Sequence, residues 1–422
     1  MSRKWAIRGI LLYILFGLVM YAYLFVWADS TIPENLSGSV ADPSTFMTER
    51  ELVLSEEYSN IRYFLSFLST PYEWLFYLII LVTGASKLFE NWAQKISRFH
   101  AIQSVIYVFY LSVVSFIAIF PFQYISHRFS IKYGISNETF QSWMKDEMID
   151  FWIGYISMII IVAAIYWVMK KSPKRWWFYA WLLFVPYATF FVFIQPIVID
   201  PLYNDFTSLQ DKELEKDILA MAEEANIPAE HVYQVNMSDK TNAMNAYVNG
   251  IGSSSRIVLW DTTLEKLSKD EILVIMAHEM AHYVKKHLYI GVAGYLVAAL
   301  FGLWLLSKLL TRISHKYKDT LKITNWNQLS SLPLLLALLS LMLFFSSPVS
   351  NVIARYQEKS ADLYALELTQ DKEAAVSTFQ KLTQAGLSQV NPPTLVKWFF
   401  YTHPTMLERL MMVDEFETSD QP

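Results

Sequence analysis

The chain has 422 residues, of which 54% are hydrophobic, 16% aromatic and only 17% charged, with a net charge of -5. That balance fits a membrane protein rather than a soluble domain of this size, and it leaves no basic footprint for nucleic acid. Zero cysteines exclude disulfides, thiolate metal sites and a cysteine nucleophile.

Crossing the hydrocarbon core takes about twenty apolar residues, and seven stretches qualify. The first, Gly9 to Trp27, follows Arg3, Lys4 and Arg8. It lacks a small-residue cleavage site, so it is expected to be an anchor rather than a removable signal peptide. The others are Tyr63 to Ala85, Ile102 to Tyr124, Phe151 to Met169, Trp176 to Ile199, Leu288 to Leu309 and Leu332 to Ile353. Pro71 and Glu73 interrupt the second stretch, which leaves a membrane-parallel helix plus a shorter span as an alternative. Glu73 reads better as an interfacial residue than as a functional intramembrane carboxylate. The polar segments 28–60 and 127–150 carry no chemical motif.

From Pro201 to Lys286 the composition becomes that of a soluble unit. Leu209 to Ala225 has an apolar face at helical spacing. Three strand-like runs follow, His231 to Val235, Ala246 to Val248 and Arg256 to Trp260, and Gly250 and Gly252 between the last two predict a hairpin. The expected organisation is therefore a five-span membrane region over 1–200, an α/β insertion over 201–287, two further spans over 288–353 and a helical region over 354–422. An exposed edge strand of such a sheet could hold an extended peptide backbone by strand addition.

Within that insertion lies His278-Glu279-Met280-Ala281-His282. On a helix, residues at i and i+4 share a face, so both imidazoles can reach one metal ion. Glu279 then lies beside the metal, placed to take a proton from a metal-activated water. Ser268-Lys269-Asp270-Glu271 is a capping box that starts this helix. With eight histidines in the chain, chance supplies such a pentapeptide in roughly one sequence in a hundred of this composition, so a third ligand is required. Zinc in a hydrolase usually has three protein ligands and one open position. Glu358 and Asp362, again at i and i+4, offer a carboxylate ligand and a hydrogen-bond acceptor for a ligand histidine. Taken alone, this pair also reads as a solvated helix face with Arg355 and Lys359. His287, five residues after His282, would point about 140° away on an ideal helix and is a poor candidate ligand. His100, His127, His231 and His315 are expected in ordinary surface or interface roles.

The series His-Glu-x-x-His, Glu358-x-x-Ala361-Asp362, then Thr402-His403-Pro404 through Glu408-Arg409-Leu410 resembles the integral-membrane zinc metalloproteases of the CAAX prenyl protease family. Asn245-Ala246-Tyr247 with Gly250, and Arg256 through Thr262, match the same family. The resemblance implies a mainly α-helical membrane protein whose seven spans enclose a chamber, with a small α/β zinc-peptidase unit facing it. It further implies one Zn²⁺ on His278, His282 and Glu358, with Glu279 activating water and Asp362 bonded to His278. His403 would donate to the oxyanion, Arg409 would orient carboxylates, and Asn245, Ala246 and Tyr247 would bind the peptide backbone. Partners would be a peptide or membrane-protein substrate and the lipid bilayer, with no nucleic acid. The competing class is a metal-dependent transporter or channel. Glu279 argues against it, since transport needs no carboxylate beside the ligands, and so does the near absence of charge within the spans.

Alternation of seven spans puts fifteen Lys and Arg on the N-terminal side and five in the opposite short loops. By the positive-inside rule the N-terminus is cytoplasmic, and the 201–286 segment and the C-terminus lie outside. The family resemblance implies the reverse, because eukaryotic relatives present the zinc domain to the cytosol.

Overall fold

Stretches that are apolar on every face bury no single stripe, so they persist as long helices that pack on one another and on lipid. The structure, a computed structural model, describes residues 2–249 and 256–417. Its membrane helices are α1 (Ser2–Ala22), α2 (Glu49–Thr83), α4 (His100–Lys132), α5 (Phe140–Lys171), α6 (Trp176–Ile194), α11 (His287–Lys316) and α13 (Leu332–Thr369). The short helix α3 (Ala85–Ile96) follows α2, and α7 (Asp200–Tyr203) ends the N-terminal half. Among the described residues, six helices are long and apolar enough to cross a membrane. The expected fifth span is instead a bent pair, Trp176–Phe191 and Gln195–Tyr203 at 45°, so the number is seven only if that pair counts as one.

The interrupted second stretch is one continuous helix of 35 residues, not a membrane-parallel helix plus a short span. Thr48 and Glu51 close a capping box at its start, and Pro71 is absorbed within it. Glu73 accepts hydrogen bonds from Tyr77 at 2.9 Å and from Ser340 of α13 at 3.2 Å. It ties two helices together.

Contacts sort the connecting segments into two opposite poles. At one, Trp5 meets Tyr317 with ring centroids 5.0 Å apart, Ser86 donates to the Ser330 carbonyl at 2.7 Å, and Lys322 donates to the Thr83 carbonyl at 2.8 Å. At the other, the Leu395 amide donates to the Tyr23 hydroxyl and Asn391 donates to the Thr31 carbonyl. Asn242 there donates to the Gly134 carbonyl, tying the α4–α5 loop to the 236–245 segment. The N-terminus and the 84–99, 172–175 and 317–331 segments thus share one pole, as strict alternation requires.

The second pole carries the α/β unit. It comprises β1 (Phe206–Ser208), α8 (Lys212–Glu224), β2 (Val232–Val235), β3 (Ala246–Asn249), β4 (Arg256–Trp260), α9 (Asp261–Lys266) and α10 (Lys269–Val284). The sheet order is β1-β2-β4-β3, with β2 and β4 parallel and the other pairs antiparallel. The expected β3–β4 pairing is present, while Gly250 and Gly252 lie outside the described residues. Strand β1 was not foreseen, because three residues show no alternation to read. Ile218, Val232, Ile257, Leu259, Met276 and Met280 are fully buried between α8, the sheet and α10. Helix α12 (Lys318–Leu321) belongs to the first pole, and α14 (Lys372–Ala385), α15 (Thr394–Phe400) and α16 (Met406–Glu415) close the second.

Candidate functional site

Two helices deliver the titratable groups to one place. Helix α10 begins at Ser268, whose hydroxyl accepts the Glu271 amide while Glu271 accepts the Ser268 amide at 2.6 Å. Glu271 also accepts from Lys381 at 2.8 Å and Ser377 at 2.5 Å, which pins the start of α10 to α14. Helix α13 runs unbroken for 38 residues from the membrane span into Glu358 and Asp362. Because both helices are regular, i and i+4 spacing on each produces two facing pairs.

His278 Nε2 lies 3.1 Å from Glu358 Oε2 and 3.2 Å from His282 Nε2, and His282 Nε2 lies 3.7 Å from Glu358 Oε1. One ligand atom from each of these three residues falls within 4.8 Å of the others. Two imidazole nitrogens and one carboxylate oxygen form a donor set suited to zinc with an open coordination position. Charge agrees with this. Burial favours a neutral His278 ring, yet Asp362 and Glu358 outweigh it and push its pKa up to about 10. The pocket draws in positive charge.

The outer nitrogens are held as well. His278 Nδ1 lies 2.7 Å from Asp362 Oδ1, and Arg409 of α16 donates to both oxygens of Asp362, at 2.9 and 2.6 Å. The Arg409 guanidinium stacks over Phe379 with 4.0 Å to the ring centroid. Asp362 is 2% exposed and Arg409 7%, so this chain of charged hydrogen bonds fixes the ring and leaves Nε2 facing Glu358. On the other flank, His403 Nε2 is 3.2 Å from Glu358 Oε2, with its side chain 53% exposed.

Glu279 is half-buried beside the two histidines. Burial raises its carboxyl above the usual range, and the neighbouring histidines and a hydrogen bond from the Val248 amide offset that only in part. Val248 belongs to the edge strand β3, so the carboxylate sits between the histidines and a strand edge.

Met244, Asn245 and Ala246 line the same cavity as His278, Glu279 and His403. Asn245 is exposed there, although its side-chain oxygen is already taken by the Ala246 amide at 2.9 Å. The other two residues expected to bind peptide fare differently. Ala246 is buried, and Tyr247 is not among the cavity residues.

His287 requires a correction. The expectation that it points away assumed that α10 continues, but α10 ends at Val284 and Lys286 turns the chain in a left-handed conformation at φ 57°. His287 therefore returns to His282, with Nδ1 to Nδ1 at 3.2 Å. A lysine in that conformation carries no sequence signal of the kind glycine or asparagine would give.

Comparison with known proteins decides the family. The model of peptidase family M48 matches residues 208–417, and that of the CAAX prenyl protease N-terminal region, five membrane helices, matches 22–205. An uncharacterized metalloprotease of Bacillus subtilis, YhfN, is 48% identical over 99% of this chain and 98% of its own. The chain belongs to peptidase family M48. Among other M48-type relatives, the CAAX prenyl protease 1 homologue of Dictyostelium discoideum is 29% identical over 94% of each chain. The crystal structure of Ste24p from S. mikatae shares the fold with a TM-score of 0.79, 23% identity and 97% coverage of both chains. This M48 protein is thus a membrane-integral, multi-pass metalloprotease, and the transporter reading is not favoured.

Proposed function

We propose that this M48 peptidase cleaves membrane-associated peptides, prenyl-type substrates included, at one zinc ion held by His278, His282 and Glu358. The convergence of these three side chains from two helices carries the reading. Bound there, zinc would polarise the scissile carbonyl and acidify the attacking water. Glu279 takes the water proton and passes it to the leaving amine. Its raised pKa suits both halves of that transfer. His403, exposed at the cavity and 3.2 Å from Glu358, donates to the developing oxyanion. The β3 edge pairs with the substrate backbone, displacing the Val248 amide from Glu279, and Asn245 fixes its register. Asp362 and Arg409 hold the His278 ring in its metal-facing tautomer. The substrate class is supported by the relatives, several of which are named CAAX prenyl proteases.

The direct test is to incubate purified protein in detergent with a peptide library, prenylated and plain, and to read the cleavage sites. Wild type should cleave, while Glu279→Gln should keep its zinc and lose about 10²- to 10⁴-fold in kcat. Cleavage by Glu279→Gln at the wild-type rate would overturn the assignment of the base.

For orientation, we infer that the α/β unit lies outside the cytoplasm, supported by the basic residues gathered at the opposite pole. The chain has no cysteine, so single reporters are clean. Glu213→Cys, at a position whose side chain is 85% exposed, should react with an impermeant maleimide on intact cells. Lys95→Cys should react only after lysis. The reverse pattern would place the site in the cytoplasm.

A further inference from the structure

We propose that His287 is a positioning residue for the metal site, accepting a hydrogen bond from Nδ1 of His282 so that Nε2 of His282 is held as a lone-pair donor facing Glu358. The inference rests on the metal-site reading above.

An imidazole that binds metal through Nε2 carries its proton on Nδ1, and that N–H needs an acceptor. For His278 the acceptor is Asp362. His282 has no carboxylate at its outer nitrogen in the described residues. What stands there is His287 Nδ1 at 3.2 Å, with the two rings 5.0 Å apart and 76° to each other. An edge-on approach of this kind lets one ring nitrogen point at the other, and His287 is 7% exposed, so protein shields its side of the contact. For His287 to accept at Nδ1, its own proton resides on Nε2. The backbone is built to achieve this. Lys285 and Lys286 donate back to Ala281 and Tyr283 and close α10, and the left-handed Lys286 then starts α11 with His287 as its first residue. The two ligand histidines are thereby oriented by unlike partners. One is anionic and doubly bonded to arginine, and the other is neutral. A neutral acceptor orients the His282 ring without adding a second negative charge next to Glu358.

The test measures zinc affinity by chelator competition in Glu279→Gln protein, which removes turnover from the readout. His287→Leu fills the volume but cannot accept, and it should weaken zinc binding by about 10- to 100-fold. His287→Gln restores an acceptor oxygen and should recover most of that loss. Visible absorption of the cobalt-substituted protein should shift in His287→Leu and return towards wild type in His287→Gln. Equal zinc affinity in wild type and His287→Leu would overturn the proposal, and so would equal losses in the Leu and Gln variants, which would mean packing alone. If His287→Leu does not fold, His287→Ala serves in its place with the same readings. His282→Ala separates the two levels of the argument. If it retains full zinc affinity, the metal-site reading fails; if it loses zinc while His287→Leu does not, only the role of His287 fails.

Discussion

Both ends of the helical bundle bury polar groups, and the two ends use them differently. At the N-terminal pole, Tyr107 and Ser86 are bonded at 2.6 Å, Ser86 continues to the Ser330 carbonyl, and Tyr166 is bonded to Ser331 at 2.9 Å. The hydroxyls of Tyr107, Ser86, Tyr166 and Ser331 each find a partner inside the protein, whereas that of Ser330 is buried without one, and Tyr107 is 0% exposed. At the opposite pole, His278, His282 and Glu358 point their polar atoms at one another, Glu279 leans on a strand amide, and His403 is half exposed. Closed hydrogen-bond chains stabilise helix contacts. Converging acceptors, by contrast, are costly unless a cation joins them. The difference between the poles separates structural polarity from chemical polarity.

The sharpest way to break this contrast is Glu358→Ala. If Glu358 is one of the three proposed ligands, removing it should take zinc in the purified protein from about one per chain to a small fraction, since such sites use three protein ligands. Hydrolysis should disappear with it. Full metal occupancy, measured by elemental analysis, would show that the converging groups at the second pole are not the metal site.

A smaller effect is expected at His403. If its role is to stabilise the oxyanion, His403→Ala should lower kcat by about 10²- to 10³-fold with zinc retained. A loss of thermal stability with normal turnover would instead make His403 part of the C-terminal packing. Its 53% exposure argues for the first outcome.

Much of the second pole was legible in the sequence, because the i and i+4 spacing of His278 with His282, and of Glu358 with Asp362, maps directly onto a helix face. The start of α10 was legible too, through the capping residue Ser268, whereas the start of α2 at Glu49, capped by Thr48, lies well before the apolar run that begins at Tyr63. What stayed hidden depended on breaks in regularity. His287 was misplaced because Lys286 leaves the helix without any residue that announces it. The fifth span bends near Gln195, where only Gln195 and Pro196 interrupt a stretch that is apolar on both sides. Tyr247 alternates with Ala246 across the sheet, so their side chains face opposite ways and only Ala246 of the two lines the cavity, a distinction the Asn245-Ala246-Tyr247 motif does not carry by itself. The hydrogen-bonded pole was legible as helix but not as network, since Ser86, Tyr107 and Ser330 are far apart in sequence and none belongs to a motif.

That network gives the mildest prediction. Tyr107→Phe removes one hydroxyl and keeps the ring, so no cavity opens. Tyr107 donates to Ser86, while Ser86 donates to the Ser330 carbonyl, so the proton of Ser86 keeps its acceptor when the phenol oxygen is gone. Only one lone pair of Ser86 is left unmatched, and the expected loss is about 0.5–1.5 kcal/mol. In detergent this should appear as a modest drop in Tm, with kcat/KM and zinc content unchanged. A tenfold or larger fall in kcat/KM, by contrast, would mean that hydrogen bonds at one pole govern geometry at the other. The separation between structural and chemical polarity would then give way to coupling along α13, the helix that runs from beside Ser331 at one pole to Glu358 and Asp362 at the other.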